Sequence, residues 1–252
     1  MDGEHAGKVV IVTGGSQGVG LGIARSFLDA GASVVTCARS EFEVAPAARD
    51  ESEQARAVHV AADVRDDDQI DRVVRTAVER FGRLDVLVNN AGGQPPADTA
   101  TVSPRFIRAI VELNLTAPMI FAQKAYQVME AQESGGSIIN ISSQASMPGG
   151  SGGGLAPYGA AKAGLNHMTR SLATAWGRTV RVNCVSLGWV RTEAMVDLLL
   201  PDDQGRTIED KIPVGRMGTP DDIGGICLFL ASDAASYING ATLWADGGGG
   251  FG

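Results

Sequence analysis

Tyr158 and Lys162 are the two residues whose types and spacing best suggest acid–base chemistry. They stand four apart in a segment with a helical pattern, so their side chains lie on one face of the helix and can approach each other. A phenol has an ordinary pKa of about 10, and a neighbouring ammonium group stabilises the phenolate. The pair therefore predicts a proton donor and acceptor, although a packed tyrosine beside a surface lysine would show the same spacing.

A serine hydroxyl is expected near this pair. The strand predicted over residues 137–141 runs into Ser142 and Ser143, so a hydroxyl group emerges where the strand ends. There it could hydrogen-bond the carbonyl or alkoxide oxygen of a substrate. Because serines at strand ends also act as caps, this interpretation depends on the residues around them.

A glycine-rich turn follows the first predicted strand and leads straight into a helix. Its sequence is Thr-Gly-Gly-Ser-Gln-Gly-Val-Gly over residues 13–20. Glycines at this spacing let the chain turn sharply and bring its N–H groups close to a pyrophosphate at the helix N-terminus. The turn predicts a dinucleotide site, with a turn that binds nothing as the alternative. The residues expected to contact the dinucleotide here are Gly14, Ser16, Gln17, Gly18 and Val19.

The end of the second predicted strand bears on which dinucleotide binds. Arg39 stands there, and a guanidinium pairs with a 2′-phosphate, which favours NADP(H). Glu41 lies close to the position expected of an acid that holds the ribose of NAD(H), so NAD(H) stays the alternative. Further coenzyme contacts are expected at the ends of the third and fourth strands, from Asp63, Val64, Asn90, Ala91 and Gly92.

The elements that position these residues alternate between short β-branched runs and longer helical patterns, as in a parallel sheet. Strands are predicted over 8–13, 33–37, 57–62, 84–88, 137–141, 180–185 and 241–244. Helices are predicted over 19–30, 66–81, 103–130, 156–176 and 220–231.

Composition narrows the function classes. The chain has 252 residues, which is expected to form one dinucleotide-binding catalytic domain over 1–252. A net charge of −8 argues against nucleic-acid binding, and the longest apolar runs are too short to span a membrane. The three cysteines and three histidines are scattered, so no metal site is expected. The first residues do not resemble a signal peptide, which makes the cytoplasm the expected location.

Taken together, the motifs resemble those of the short-chain dehydrogenase/reductase family, especially members that act as 3-oxoacyl-thioester reductases. The resemblance covers about residues 7 to 250. It implies a Rossmann-type, doubly wound, three-layer α/β fold with a seven-stranded parallel sheet, and a homotetramer. The matching motifs are the glycine turn over 13–20, the Asn-Asn-Ala-Gly run over 89–92, Asn114, Ser143, the Tyr158-Gly-Ala-Ala-Lys162 run, Asn183 and Asp246-Gly247-Gly248.

The resemblance also implies a role for each site residue. Tyr158 would act as the acid–base group, and Lys162 would lower its pKa and hold the nicotinamide ribose. Ser143 would orient the substrate oxygen, and Asn114 would support a proton-relay water. The resemblance adds three coenzyme contacts, with the last one facing the carboxamide: Gly188, Val190 and Thr192.

Three features depart from the family pattern. The gap between Ser143 and Tyr158 is about two residues longer than usual, with the excess in the glycine-rich stretch 149–154, so Ser142 is an alternative to Ser143. Leu187 replaces a proline before Gly188. Gln17 stands where NADP-preferring relatives often have arginine, which weakens the NADP(H) assignment.

The predicted function is reversible hydride transfer between NADP(H) and a ketone or secondary alcohol. A 3-oxoacyl thioester and a steroid-like ketone are both candidate substrates, and the apolar side chains near the expected mouth could instead cover a helix or a subunit contact. An NADP(H)-sensing protein without turnover is the alternative from another class, and the retention of Tyr158 with Lys162 argues against it. Those apolar residues are Trp189, Met195, Leu198, Leu199 and Leu200.

Overall fold

Seven parallel strands form one sheet at the centre of the molecule, in the order β3-β2-β1-β4-β5-β6-β7. The computed structural model describes residues 4–42, 45–95, 97–148, 153–193 and 208–249. The strands are β1 Val9–Thr13, β2 Ser33–Ala38, β3 Ala57–Ala61, β4 Val86–Asn89, β5 Gly136–Ser143, β6 Val180–Leu187 and β7 Thr242–Ala245. The principal helices are α1 Gly18–Asp29, α2 Glu51–Arg56, α3 Asp67–Phe81, α4 Pro104–Val111, α5 Ala117–Glu130, α6 Ala156–Trp176 and α7 Pro220–Ala231.

Helices cover both faces of this sheet, as its strands require, because apolar side chains alternate to both sides along them. On one face, Phe27 of α1 and Ile223 of α7 belong to a buried cluster with the strands. On the other face, Val73 of α3 and Phe121 of α5 belong to a second cluster. The predicted doubly wound, three-layer α/β architecture with seven parallel strands is therefore confirmed.

Two departures from the predicted elements have physical causes. The helix expected over 103–130 is divided into α4, a π-helical turn at Glu112–Thr116, and α5. The turn ends two residues before Pro118, which lacks the N–H that an uninterrupted α-helix would need. Helix α2 escaped prediction because it has almost no apolar face: Glu53 is its buried residue, and Asp50 caps it by accepting from the Glu53 N–H.

The carboxyl ends of β1 and β4 are joined by hydrogen bonds. The Thr13 hydroxyl oxygen accepts from the backbone N–H groups of Asn90 and Ala91, each at 2.9 Å. The Asn90 side-chain amide in turn donates to the Thr13 carbonyl oxygen at 2.9 Å. Strand order reverses between these two strands, and crevices that bind ligands form at such points in open parallel sheets. No described helix combines the length and apolar composition needed to cross a membrane.

Candidate active site

The glycine turn after β1 packs closely against the start of helix α1, and this packing depends on its glycines. Gly18 opens helix α1 with a φ of 54°, a conformation that side-chain-bearing residues rarely adopt. A Cβ added at Gly20 would stand 2.3 Å from the Gly14 carbonyl oxygen, so this closest approach of turn and helix requires glycine. The N–H groups of the first helical turn lack partners within the helix and can bind a phosphate. The local geometry thus fits a pyrophosphate.

A cavity lies over the carboxyl ends of β1 to β4, beside this turn. Tyr158, Lys162, Gly188 and Val190, which were also predicted to contact the coenzyme, are not among the residues lining it. All of the other predicted contacts do line it: Gly14, Ser16, Gln17, Gly18, Val19, Arg39, Asp63, Val64, Asn90, Ala91, Gly92 and Thr192. Further lining residues that sequence reasoning did not single out for this role are Gly20, Cys37, Ala38, Ala62, Arg65, Leu113 and Glu193.

Two arginines, Arg39 and Arg65, line the cavity beside the ends of β2 and β3, and they differ in their ion pairing. Arg65 forms a two-pronged ion pair with Asp63, with Nε 2.9 Å from Oδ1 and Nη2 2.5 Å from Oδ2. Hydrogen bonding from Arg65 holds the pKa of Asp63 below its ordinary value, and the charge of Arg39 adds to this effect. Arg39 is exposed at the cavity wall. Asp63 is therefore an ionised carboxylate already matched by Arg65, while Arg39 presents its charge to the cavity.

Arg65 is the most informative residue that the sequence analysis missed. Its signal was present, because a cation two residues after Asp63 at a strand end can fold back onto that carboxylate. Sequence alone, however, does not reveal whether such an arginine points into the cavity or into solvent.

Lys162 is a buried cation with a defined partner. Its Nζ donates to the Ile141 carbonyl oxygen at 2.8 Å, and its side chain is almost fully buried. The same nitrogen lies 5.7 Å from the centroid of the Tyr158 ring. Burial lowers the pKa of Lys162 to about 8, because removing the ammonium from water disfavours its charged form.

The pKa of Tyr158 is raised, which is the opposite of the direction expected from its spacing to Lys162. Burial is the larger cause, and a hydrogen bond with Ser143 acts against it. Burial disfavours a phenolate just as it disfavours an ammonium. In the protein without coenzyme, Tyr158 therefore keeps its proton at neutral pH.

The two serines at the end of β5 have different environments. Ser143 interacts with Tyr158 closely enough to oppose the rise in its pKa, and its hydroxyl oxygen accepts from the Ala145 N–H at 3.2 Å. The Ser142 hydroxyl is buried and donates to the Lys162 carbonyl oxygen at 3.3 Å, within the packing against α6. Successive side chains of a strand point to opposite faces, so only one of the two can face the tyrosine. The structure brings Ser143 to Tyr158 and turns Ser142 away.

Asn114 lies in the π-helical turn and is completely buried. Its Oδ1 accepts from the Gly93 N–H at 2.8 Å, and its Nδ2 donates to the carbonyl oxygens of Gly93 and Ile110. Gly92 connects this residue to Lys162: a Cβ at Gly92 would lie 2.7 Å from Asn114 Oδ1 and 3.1 Å from Lys162 Nζ. Since Gly92 also lines the cavity, it forms the boundary between the dinucleotide cavity and the buried polar groups.

The segment after β6 supplies the remaining predicted contacts. The Gly188 N–H donates to the Ala245 carbonyl oxygen at 3.0 Å, and Val190 forms an isolated β-bridge with Gly218. Both contacts hold this segment in place. Thr192 stands close to the glycine turn, with Cγ2 3.5 Å from where a Cβ of Gly18 would be. The extra glycine-rich residues at 149–152 and the apolar residues Met195 and Leu198 to Leu200 lie outside the described residues.

Comparisons with known proteins agree with this architecture. A family model described as enoyl-(acyl carrier protein) reductase matches residues 14–249. The L-fucose dehydrogenase of Oryctolagus cuniculus is 38% identical over 97% of this chain and 86% of its own length. The 3alpha-hydroxysteroid dehydrogenase of Mediterraneibacter gnavus is 36% identical over 95% of this chain and 96% of its own length. The crystal structure of a short chain dehydrogenase from Bacillus anthracis superposes with a TM-score of 0.85 at 32% identity, covering 98% of both chains.

The resemblance seen in the motifs is thus confirmed along nearly the whole chain, together with the fold that it implies. This chain belongs to the short-chain dehydrogenase/reductase family and is an oxidoreductase that acts on CH–OH groups with a nicotinamide dinucleotide, NAD or NADP, as acceptor.

Proposed function

We propose that this enzyme interconverts a ketone and a secondary alcohol with NADP(H) as the preferred coenzyme and Tyr158 as the acid–base group. The observation that carries the proposal is the contact of Tyr158 with Ser143, beside the buried ammonium of Lys162. The nicotinamide ring supplies the hydride chemistry when it is bound. The protein has to supply the proton, the orientation and a dry site.

Each side chain has a distinct part in the proton transfer. In the direction of reduction, the Tyr158 hydroxyl gives its proton to the carbonyl oxygen of the substrate, and the Ser143 hydroxyl hydrogen-bonds the same oxygen. Tyr158 is protonated at neutral pH, as this direction requires, and its raised pKa means that the donated proton comes from a weak acid. In the direction of oxidation, the Lys162 ammonium stabilises the phenolate that must form first.

The coenzyme contacts follow from the cavity and from the resemblance. The glycine turn would hold the pyrophosphate, Asp63 and Val64 the adenine end, and Asn90 to Gly92 the middle of the dinucleotide. Lys162 would hold the nicotinamide ribose, and Gly188, Val190 and Thr192 would border the nicotinamide. Asn114 would support a relay water, since its side chain holds Gly93, the neighbour of the Gly92 that approaches the lysine.

The preference for NADP(H) rests on Arg39. Its guanidinium is exposed at the cavity wall, and Asp63, the acid whose pKa its charge lowers, is already paired with Arg65. Arg39 has no hydrogen-bond or ion-pair partner among the described residues, so it can bind a 2′-phosphate without first losing one of them. A coenzyme without the 2′-phosphate gains no binding energy from Arg39.

We favour a secondary alcohol carried on a ring as the substrate. The L-fucose and 3alpha-hydroxysteroid dehydrogenases, by their names, act on a sugar and on a steroid hydroxyl, and this agrees better with the steroid-like candidate than with a 3-oxoacyl thioester. We further propose that the enzyme is a homotetramer, as the resemblance to the family implies, that residues 1–252 form one catalytic domain, and that it is located in the cytoplasm.

A screen of substrates tests the function directly. Ring-borne secondary alcohols, including a deoxy sugar, a cyclohexanol and a 3α-hydroxysteroid, are offered with NADP+ or NAD+, and a 3-oxoacyl thioester with NADPH or NADH. We expect a change in nicotinamide absorbance with at least one ring alcohol, and faster with NADP+. Turnover of the thioester alone would reject the proposed substrate, and coenzyme binding without any turnover would indicate the sensor.

The variant Tyr158→Phe tests the acid–base role. Because it removes one hydroxyl and keeps the ring, we expect kcat to fall by about 10²- to 10⁴-fold, with coenzyme affinity nearly unchanged. Tyr237→Phe is the matched control, since Tyr237 is fully exposed. Steady-state kinetics and a coenzyme titration give the two readouts, and equal loss of both in Tyr158→Phe would contradict the assigned role.

The variant Arg39→Asp tests coenzyme selection. A fixed negative charge in place of the guanidinium should lower the ratio of kcat/KM for NADPH to that for NADH by about 10²-fold, the size expected for losing charged hydrogen bonds and adding repulsion. Arg178→Asp, which makes the same change at an exposed site outside the cavity, is the control. An unchanged ratio in Arg39→Asp would exclude Arg39 as the selector.

The variant Lys162→Met tests the cost of burying the ammonium. The lowered pKa means that unfolded Lys162 binds its proton more tightly than folded Lys162, so wild-type stability gains about 1.4 kcal/mol per pH unit from this group between pH 8 and its unfolded pKa. We expect the methionine variant to be more stable at pH 7, by up to about 3 kcal/mol, with the gap closing as the pH rises. Urea unfolding at several pH values measures the difference in stability between the variant and the wild type, and Lys211→Met at an exposed site is the control. A difference that stayed constant with pH would contradict the prediction.

A further inference from the structure

His59 lies outside the catalytic groups but directly beneath the segment that carries Arg39. It belongs to β3, the outermost strand on that side of the sheet, and is paired in register with Thr36 of β2. Its imidazole contacts three residues of the neighbouring strand and the segment after it. Nδ1 lies 2.9 Å from Thr36 Oγ1, Nε2 lies 3.0 Å from the Ser40 carbonyl oxygen, and the ring meets Phe42 edge-on with centroids 5.0 Å apart.

These partners fix the hydrogen on Nε2 and are compatible with a neutral ring. A carbonyl oxygen can only accept, so Nε2 must carry the hydrogen that it donates to Ser40. Nδ1 can then accept from the Thr36 hydroxyl, which makes the imidazole neutral with both nitrogens used. Burial lowers the pKa of His59, and its hydrogen bond to Ser40 acts against that effect, so the net shift also favours the neutral form.

Among the described residues, few other hydrogen bonds hold the segment after β2 close to Arg39. The Cys37 carbonyl oxygen accepts from the Gly14 N–H at 2.8 Å, and the Ala38 carbonyl oxygen accepts from the Ala62 N–H at 2.7 Å. The next anchor along the chain is the bond from His59 to Ser40, on the far side of Arg39. Arg39 is therefore held between the last strand bond at Ala38 and the imidazole of His59.

We propose that His59 is a positioning residue for coenzyme selection, which fixes the backbone at Ser40 so that Arg39 faces the 2′-phosphate of NADP(H). This inference rests on the proposed preference for NADP(H). A segment held in place before binding does not pay the entropy cost of becoming ordered when the phosphate arrives. NAD(H) has no phosphate to recruit Arg39, so the benefit falls on NADP(H).

Two substitutions of His59 separate positioning from general stability. Glutamine places its amide nitrogen near the position of Nε2 and can still donate to Ser40, whereas asparagine is too short and can replace only the bond to Thr36. We expect His59→Asn to raise the KM for NADPH about fivefold, with kcat and the KM for NADH changed less than about twofold. His59→Gln should restore most of the wild-type KM.

A double variant tests whether His59 acts through Arg39. In an Arg39→Ala background, His59→Asn should have no further effect on the KM for NADPH, because the group that it positions is gone. Phe42→Ala provides a second route should His59→Asn fail to fold: the Phe42 side chain is 45% exposed, and removing its contact should raise the KM for NADPH about twofold. Thermal melting of each variant checks that it is folded.

The outcomes distinguish this inference from the proposal beneath it. If Arg39→Ala leaves the preference between coenzymes unchanged, the proposed role of Arg39 is wrong, and so is positioning through it. If Arg39→Ala weakens NADPH binding but the folded His59 and Phe42 variants do not, only the role of His59 is overturned. Equal weakening of both coenzymes by His59→Asn, or additive effects in the double variant, would indicate a general structural contribution and would also overturn it.

Discussion

The buried ammonium of Lys162 is the constraint around which the reactive end of the site is built. Its pKa of about 8 shows that the fold bears the cost of keeping a cation away from water. One hydrogen bond to the Ile141 carbonyl oxygen offsets part of that cost. The main chain at Gly92 approaches both the ammonium and Asn114: a Cβ there would lie 3.1 Å from Lys162 Nζ and would clash with Asn114 Oδ1 at 2.7 Å. A group so expensive to bury is typical of a functional site.

The π-helical turn solves a second positioning problem. Its buried Asn114 binds both backbone groups of Gly93 and so holds the chain that passes Lys162. A buried polar chain continues behind it, because Asn89 donates both to the Pro118 carbonyl oxygen and to Asn140 Oδ1. Such turns often occur at functional positions, where they redirect a side chain. Here the π-helical turn leads into α5, which contains Pro118, and its Asn114 side chain binds Gly93 in the segment that follows β4.

The sequence predicted the parts of this structure that depend on periodicity and on local turns. The apolar runs of the seven strands and the turn containing Gly18 and Gly20 are of that kind. Helix α2 has almost no apolar face, so its sequence lacks the periodic pattern that predicts a helix. The ion pair of Arg65 with Asp63 and the raised pKa of Tyr158 depend on the direction of a side chain and on burial, which only the folded chain defines. Ser143 could be separated from Ser142 only once β5 was seen to continue through both residues.

The two ends of the coenzyme cavity differ in how freely they can change. At the reactive end, Lys162 and Asn114 are buried and bonded to the main chain, so a substitution there also disturbs packing. At the adenosine end, Arg39 is exposed and Arg65 reaches its partner from the surface. Exposed substitutions usually alter stability by less than about 0.5 kcal/mol. If Arg39 selects the coenzyme and Lys162 and Asn114 serve proton transfer, as proposed, then coenzyme preference can shift at little cost to the fold, whereas the proton-transfer groups cannot be replaced without disturbing it.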